Sequence, residues 1–336
     1  MRILFIVKAK TEYTNSYSTV SGGLFNSAQF VVGMLNKNNI NSTVVEVQDN
    51  NCIDKEVTLF NPDLVIIEAL WVVPEKFQEL KALHPNVRWV IRLHSHIPFL
   101  ANEGVAIEWL KKYTKYSNVF VAVNYYQTKE SLERILNKVV LYLPNYYPIS
   151  KPVNILNTYP ESELHIGCFG AIRPLKNQLI QALAAIEFAR QTKKTLYFHI
   201  NSSRVENKGE EVLKNLRSLF DGTQNYLIEH TWHSHTEFLD IVRTMDLGMQ
   251  VSLSETYNIV SADFVNQEVP IVTSHEIEFV NKHSQASTKD ITDTINAMYY
   301  SLKYPRISTW SNKRLLKRNS KRALQQWIST TNQFNF

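Results

Sequence analysis

Only two cysteines occur among the 336 residues, Cys52 and Cys168, far apart and neither in a CxxC pair. A disulfide framework and a cysteine-ligated zinc site are left without support, and the count fits a reducing compartment. No apolar stretch reaches the roughly 18 residues that a bilayer-crossing helix needs, which speaks against an integral membrane protein. The opening MRILFIVKAK is apolar over too short a run for a signal peptide or anchor, and reads instead as a buried first strand. A cytoplasmic location is expected. No GxGxxG follows that strand and no GxxxxGK[ST] occurs, so NAD-type and P-loop nucleotide binding have little support. With 44% hydrophobic and 20% charged residues the chain is not globally disordered, and its length suggests about two domains.

The net charge of +5 is concentrated. Lys313, Arg314, Lys317, Arg318, Lys321 and Arg322 fall in one ten-residue segment without an acid, and taking those six away turns +5 into −1. At helical spacing the six share one half of the circumference, with Leu315, Leu316, Ala323 and Trp327 on the other. Such a face is either solvated or turned toward phosphates, of duplex DNA or of an anionic membrane surface.

Short β-rich runs alternate with helical patterns. Strands are expected at Ile3–Val7, Thr43–Val47, Leu64–Glu68, Trp89–Leu93, Val119–Val123 and Val139–Leu143. Helices are expected at Leu24–Asn36, Glu75–Leu83, Val105–Tyr113 and Lys129–Leu136. The rhythm breaks over Pro144–Pro160, where four prolines read as a linker, and then restarts. The second series of strands is expected at Leu164–Phe169, Leu196–Ile200, Tyr226–Glu229, Leu247–Gln250 and Pro270–Thr273. Its helices fall at Asn177–Gln191, Gly209–Phe220, Thr236–Thr244, Val260–Asn266 and Thr288–Leu302. This is an α/β chain of two doubly wound, Rossmann-like domains, whose strand C-termini are expected to face a central cleft.

Three segments carry chemistry. Ser21, Gly22 and Gly23 follow the first strand and open a helix, where small residues admit a ligand to the backbone and the helix N-terminus attracts phosphate. In Ile166–Asn177 a strand ends near Gly170, and Arg173 and Lys176 sit in the loop before the next helix, a pairing suited to a diphosphate. In Ser252–Asp263, Glu255 precedes a helix and can accept from sugar hydroxyls, Asp263 can accept from a ribose diol, and the amides of Thr256, Tyr257, Asn258 and Ile259 are donors for phosphate. His230, His233 and His235 cluster after a strand, but their spacing matches no zinc motif and no metal site is expected. His96 is either a second histidine in the cleft or a turn residue.

Together these segments resemble the retaining, two-domain GT-B glycosyltransferases of family 4. Glu255 and Asp263 take the places of that family's two glutamates, with Asp263 one methylene shorter. Gln267–Val272 is similar to the turn and strand that follow. Gly170–Lys176 resembles the diphosphate loop, although Ala171 stands where the family has a basic residue. Leu143-Pro144-Asn145, Leu93-His94-Ser95-His96 and the Gly22–Gly23 loop are similar to further motifs, in order along the chain. The resemblance implies that residues 1–150 form an acceptor-side domain, that 151–310 bind the nucleotide sugar, and that 311–336 form a helix crossing back to the first domain. It implies a nucleoside-diphosphate-sugar donor, UDP-linked, as substrate rather than cofactor. Glu255 and His94 would hold the donor sugar, Arg173 and Lys176 would stabilise the leaving diphosphate, and a hinge at Pro144–Pro160 would close the domains. The absence of any Asp-x-Asp pair fits a metal-independent reaction.

Parts of the first half, such as SGGLFNSAQF and RLHSHIPFLANEG, also resemble glycosyltransferases encoded by tailed bacteriophages. With the basic segment, that makes a 5-hydroxymethylated pyrimidine in duplex DNA an expected acceptor. The alternatives are a cell-surface saccharide or lipid-linked acceptor, and a nucleotide-sugar-binding protein without transferase activity.

Overall fold

The structure, a computed structural model, describes residues 1–9, 22–151 and 159–334. Ser21 and residues 152–158 of the expected linker lie outside the described residues. The chain divides into two units, Met1–Pro148 with Ser320–Phe336, and Ile149–Asn319.

The first unit runs β1 (Arg2–Lys8), α1 (Gly23–Lys37), β2 (Asn41–Val47), α2 (Ile53–Phe60), β3 (Leu64–Glu68), α3 (Lys76–Leu83), β4 (Arg88–Leu93), α4 (Ile97–Leu100), α5 (Ala106–Tyr113), β5 (Val119–Val123), α6 (Tyr126–Leu136) and β6 (Leu141–Tyr142). All six strands are parallel, in the order β2-β1-β3-β4-β5-β6. Ile3 to Val7 are buried without a break, the signature of a strand covered on both faces. One side of the sheet packs Leu4, Ile6, Trp89 and Ile91 against Phe77 and Tyr113, and the other packs Phe5, Ile66 and Val90 against α1 and Trp327.

The second unit runs β7 (Glu163–Gly167), α7 (Gln178–Thr192), β8 (Thr195–Asn201), α8 (Gly209–Phe220), β9 (Tyr226–His230), α9 (His235–Arg243), β10 (Leu247–Gln250), α10 (Ile259–Asn266), β11 (Ile271–Ser274), β12 (Gln285–Ala286), α11 (Ile291–Lys303) and α12 (Pro305–Gln333). Its sheet is also parallel, in the order β12-β11-β10-β7-β8-β9. The direction of winding reverses between β7 and β10, and ligands of such sheets bind beyond the strand C-termini at that switch point. Gly167 and Gly248 are register partners there, and both face the Phe264 ring. A Cβ on Gly248 would come within 2.6 Å of the Phe264 ring, so the glycines let α10 lie close on the central strands.

Two expectations change. The Pro144–Pro160 stretch is not a free linker over residues 144–150. Leu143, Pro144, Asn145 and Tyr147 are buried, and Ser150 exchanges hydrogen bonds with Asn266 through its amide (2.9 Å) and hydroxyl (2.8 Å). The C-terminal helix begins at Pro305 rather than 311, since proline is well suited to a first helical turn. From Ser320 onward its residues belong to the first unit, where Trp327 is fully buried against Phe5 and donates to the Pro144 carbonyl at 2.8 Å.

Candidate functional site

At the switch point of the second unit, the loop after β7 meets the loop after β10. Gly170 turns the first loop at φ +113°, a left-handed conformation that favours glycine, and its N–H donates to Asn201 Oδ1 at 2.9 Å. The loops are stitched together by the Leu253 amide on the Leu175 carbonyl (2.9 Å), by Asn177 Nδ2 on the Val251 carbonyl (3.1 Å) and by the Val251 amide on Gln181 Oε1 (2.8 Å). That stitching fixes Lys176 and Glu255 as a direct ion pair between Nζ and Oε1, both nearly buried. Asn258, at φ +59°, caps α10 by accepting from the Ser261 amide at 2.9 Å. Its Nδ2 donates to Glu255 Oε1 at 3.1 Å and to Gln250 Oε1 at 2.8 Å. Glu255's own amide donates to Glu276 Oε2 at 2.5 Å.

The electrostatics follow from this enclosure. Burial alone would push the Glu255 carboxyl up, but the Lys176 and Arg173 cations outweigh it and hold the group below its ordinary value. Burial pulls Lys176 below its ordinary value, with Glu255 opposing. Glu276 is pushed up by burial. Beneath them burial raises the Cys168 thiol to about 12, which makes it inert.

Arg173 Nη1 lies 3.6 Å from Glu206 Oε2, and Arg204 binds the other oxygen of Glu206 at 2.7 Å while lying over the Trp232 ring at 4.7 Å. So Arg173, Lys176, Gly170, Glu255 and Asn258 come together. Tyr257 is buried with its ring on Phe279 at 5.0 Å, and Ile259 opens α10. Thr256 lies beside them in the same loop. Ala171 is buried, and its carbonyl accepts from Gln178 Nε2 at 3.0 Å.

Asp263 is also buried, and it pairs with His235 Nε2 at 2.7 Å. Burial disfavours the charged ring of His235, but Asp263 outweighs it and raises its pKa. His230 goes elsewhere, into a hydrogen-bonded row with His199 (2.8 Å) and, through it, His165 (3.0 Å). Among the described residues no group of three or more His, Cys, Asp or Glu side chains is arranged to hold a metal ion.

In the first unit, His94 Nε2 is bonded directly to Glu68 at the end of β3, and its Nδ1 lies 3.4 Å from Asn124 Nδ2. Glu68 and Arg92 are fully buried, and Arg92 Nη1 reaches both Glu68 oxygens at 2.9 and 3.1 Å. Burial would raise the Glu68 carboxyl, yet Arg92 and His94 hold it down. His94 is lowered, first by burial. Arg92 donates further to the Leu143 carbonyl (2.8 Å) and Asn145 Oδ1 (2.5 Å), so Leu143-Pro144-Asn145 is a lock on this cluster. His96 Nδ1 bonds Thr128 Oγ1 at 2.7 Å, which gives it a structural partner. Gly22 caps α1 at φ −72° with open space where a Cβ would stand, and Gly23 is the first residue of α1, so no backbone strain calls for Gly22.

Sequence reading missed Glu68, Arg92, Gln250, Glu276, Arg204 and Glu206. Glu68 ends one expected buried strand and Arg92 is the penultimate residue of another, where a charged residue in an apolar run was the available signal.

No protein-family model matches this chain, and no curated protein matches it. Solved structures do. The chain superposes on sucrose-phosphate synthase from Thermosynechococcus elongatus with TM-score 0.72 at 11% identity, covering 99% of this chain and 98% of that one. For trehalose-6-phosphate synthase from E. coli bound with UDP-2-fluoroglucose the TM-score is 0.69 at 11% identity, over 98% of both chains. For Anabaena HepE in complex with UDP and glucose it is 0.65 at 13%, over 99% and 100%. The fold of this chain is therefore the GT-B fold, with two six-stranded parallel sheets. Among the described residues no helix is long and apolar enough to cross a membrane.

Proposed function

We propose that this chain is a glycosyltransferase that moves a sugar from a UDP-linked donor to a hydroxyl acceptor, with retention and without a metal ion. The observation that carries the reading is the Lys176–Glu255 pair at the switch point of the second sheet, beside Arg173 and the N-terminus of α10. Breaking the bond from sugar to diphosphate puts negative charge on the leaving group and positive charge on the anomeric carbon. Arg173 and Lys176 supply fixed positive charge for the first, and α10 adds its N-terminal dipole. The ionised Glu255 accepts from donor sugar hydroxyls once Lys176 turns to the diphosphate. Retention follows from front-face attack, in which a diphosphate oxygen takes the acceptor proton. His94, oriented by Glu68, takes part in the transfer step. The reading gains support from the neighbours whose structures hold UDP-2-fluoroglucose, or UDP and glucose.

For the acceptor, a saccharide or lipid-linked hydroxyl is favoured. Lys313 is already engaged by Glu268 at 2.6 Å, which removes one cation from the proposed phosphate-facing set. A 5-hydroxymethylated pyrimidine in duplex DNA is the second reading, carried by the exposed Arg314, Lys317, Arg318, Lys321 and Arg322.

The test is incubation with UDP- and GDP-sugars, in chelator, with saccharide, lipid-linked and hydroxymethylcytosine-DNA acceptors, followed by mass spectrometry and assignment of the anomeric configuration. A sugar-sized mass gain with the donor's configuration supports the reading. Inversion, or a metal requirement, contradicts it. Donor binding without transfer to any acceptor would make the chain a nucleotide-sugar-binding protein.

A further inference from the structure

The last acidic residue of the chain is Asp293; residues 294–336 contain eight Lys and Arg and no Asp or Glu. Within this stretch α12 is firmly seated. Ser308, Asn312 and Leu316 are buried, Ser308 Oγ lies 3.0 Å from Ser284 Oγ, and Asn312 Oδ1 accepts from the Asn281 amide at 2.8 Å. The opposite side is a stripe rather than a scatter. Ile307, Trp310, Arg314, Lys317 and Arg318 fall within about 100° of arc at helical spacing, and all five are exposed. Trp310 is 63% and Ile307 58% exposed, so two large apolar side chains stand together in water on adjacent turns of one face. Tyr304, 41% exposed, precedes them at the mouth of the helix. Arg314 lies over the Trp310 ring at 5.5 Å on the stripe, and just before the helix Lys303 lies over Tyr304 at 5.4 Å, so each of the two rings carries a cation. Among the described residues, the one cation of the segment with an acidic partner is Lys313, which pairs with Glu268 off the stripe.

We propose that this stripe of α12 docks on an anionic lipid bilayer, lying in the plane of the interface. Trp and Tyr rings sit at the headgroup level, an aliphatic residue beside them enters the acyl boundary, and the following turns set cations against anionic headgroups. Charge complementarity identifies the occupant as anionic. The exposed Ile307 and Trp310 select a bilayer over a duplex, since phosphate contacts alone would leave both in water. The stripe is separate from the Lys176–Glu255 site, and the proposal stands whether or not the chain transfers a sugar.

The test is co-sedimentation of the full chain with vesicles of phosphatidylcholine alone and of phosphatidylcholine mixed with phosphatidylglycerol, with duplex DNA binding measured in parallel. Binding to the anionic vesicles is expected, weakening as salt rises. The triple variant Arg314→Gln/Lys317→Gln/Arg318→Gln is expected to bind them on the order of a hundredfold more weakly, from about 1 kcal/mol per surface cation. Trp310→Ser is expected to weaken vesicle binding and to remove a blue shift in tryptophan emission that vesicles induce in the unaltered chain. All four positions are exposed, so unchanged thermal unfolding is expected to accompany both losses. Failure to bind either vesicle overturns the proposal. So does equal binding to both, binding that the variants leave intact, or a loss confined to duplex DNA.

Discussion

Lys176 and Glu255 come from loops 79 residues apart and meet as a nearly buried ion pair where the winding of the second sheet reverses. Each is the other's main compensation for leaving water, so removing one strands the other. Lys176→Met is expected to cost about 3 kcal/mol of stability, while Lys176→Met/Glu255→Met costs less than the single change. Asn258 Nδ2 keeps Gln250 as a partner in the double variant. Urea unfolding of the four members of the cycle checks this, and additive losses would contradict it.

Glu68 and His94 separate stability from transfer. Glu68→Ala leaves the fully buried Arg92 guanidinium without its carboxylate and is expected to destabilise the first unit by about 3–5 kcal/mol. His94 is partly exposed and rests on Glu68, so His94→Ala is expected to lower transfer by at least tenfold while moving the unfolding midpoint little. Calorimetry beside a donor-turnover assay distinguishes the two, and equal effects on both readouts would contradict the assignment.

His199 sets an acid limit on the second unit. Burial first, and the neighbouring His230 and His165 next, lower its pKa from 6.5 to about 3. As pH falls below 6.5 the unfolded chain takes up a proton that the folded chain refuses, so stability declines over the interval down to about 3. The slope from this group is about 1.4 kcal/mol per pH unit. His230 is lowered in the same sense. His199→Leu is expected to flatten the acid side of the stability–pH profile, measured by urea unfolding at several pH values. An unchanged slope would contradict it.

Ala69 holds a left-handed backbone, φ +71°, directly after Glu68, with its amide on the Arg92 carbonyl at 2.9 Å. A Cβ in that region costs about 1–2 kcal/mol. Ala69→Gly is therefore expected to raise stability by up to about 1 kcal/mol after the added chain entropy of glycine, read as a higher thermal midpoint.

Most strands and long helices were legible because continuous apolar runs and helical periodicity are strong local signals. Leu64–Glu68, Val119–Val123, Gly209–Phe220 and Leu247–Gln250 have the expected ends. Ile53–Phe60 was not legible as a helix, since Asp49 caps the preceding turn through its side chain and the apolar face is two residues, Ile53 and Val57. The Pro144 region reads locally as a linker, whereas long-range bonds from Arg92 and Trp327 bury it. Of the candidate site, Arg173, Lys176, Glu255 and Asn258 were legible from their loops, because βα loops at strand ends carry such residues close in sequence. Glu206, Gln250 and Glu276 were not, as their contacts depend on which strands are neighbours. The partnership of Asp263 with His235 was hidden for the same reason.

The most direct test of the account is calorimetric titration of UDP into the unaltered chain and into Arg173→Ala, with circular dichroism verifying the fold of each. The account expects saturable binding that Arg173→Ala weakens by tenfold or more, as loss of a charge-assisted contact should. No binding of UDP, or the same affinity in both proteins, would contradict the placement of a UDP-linked donor at the switch point of the second sheet.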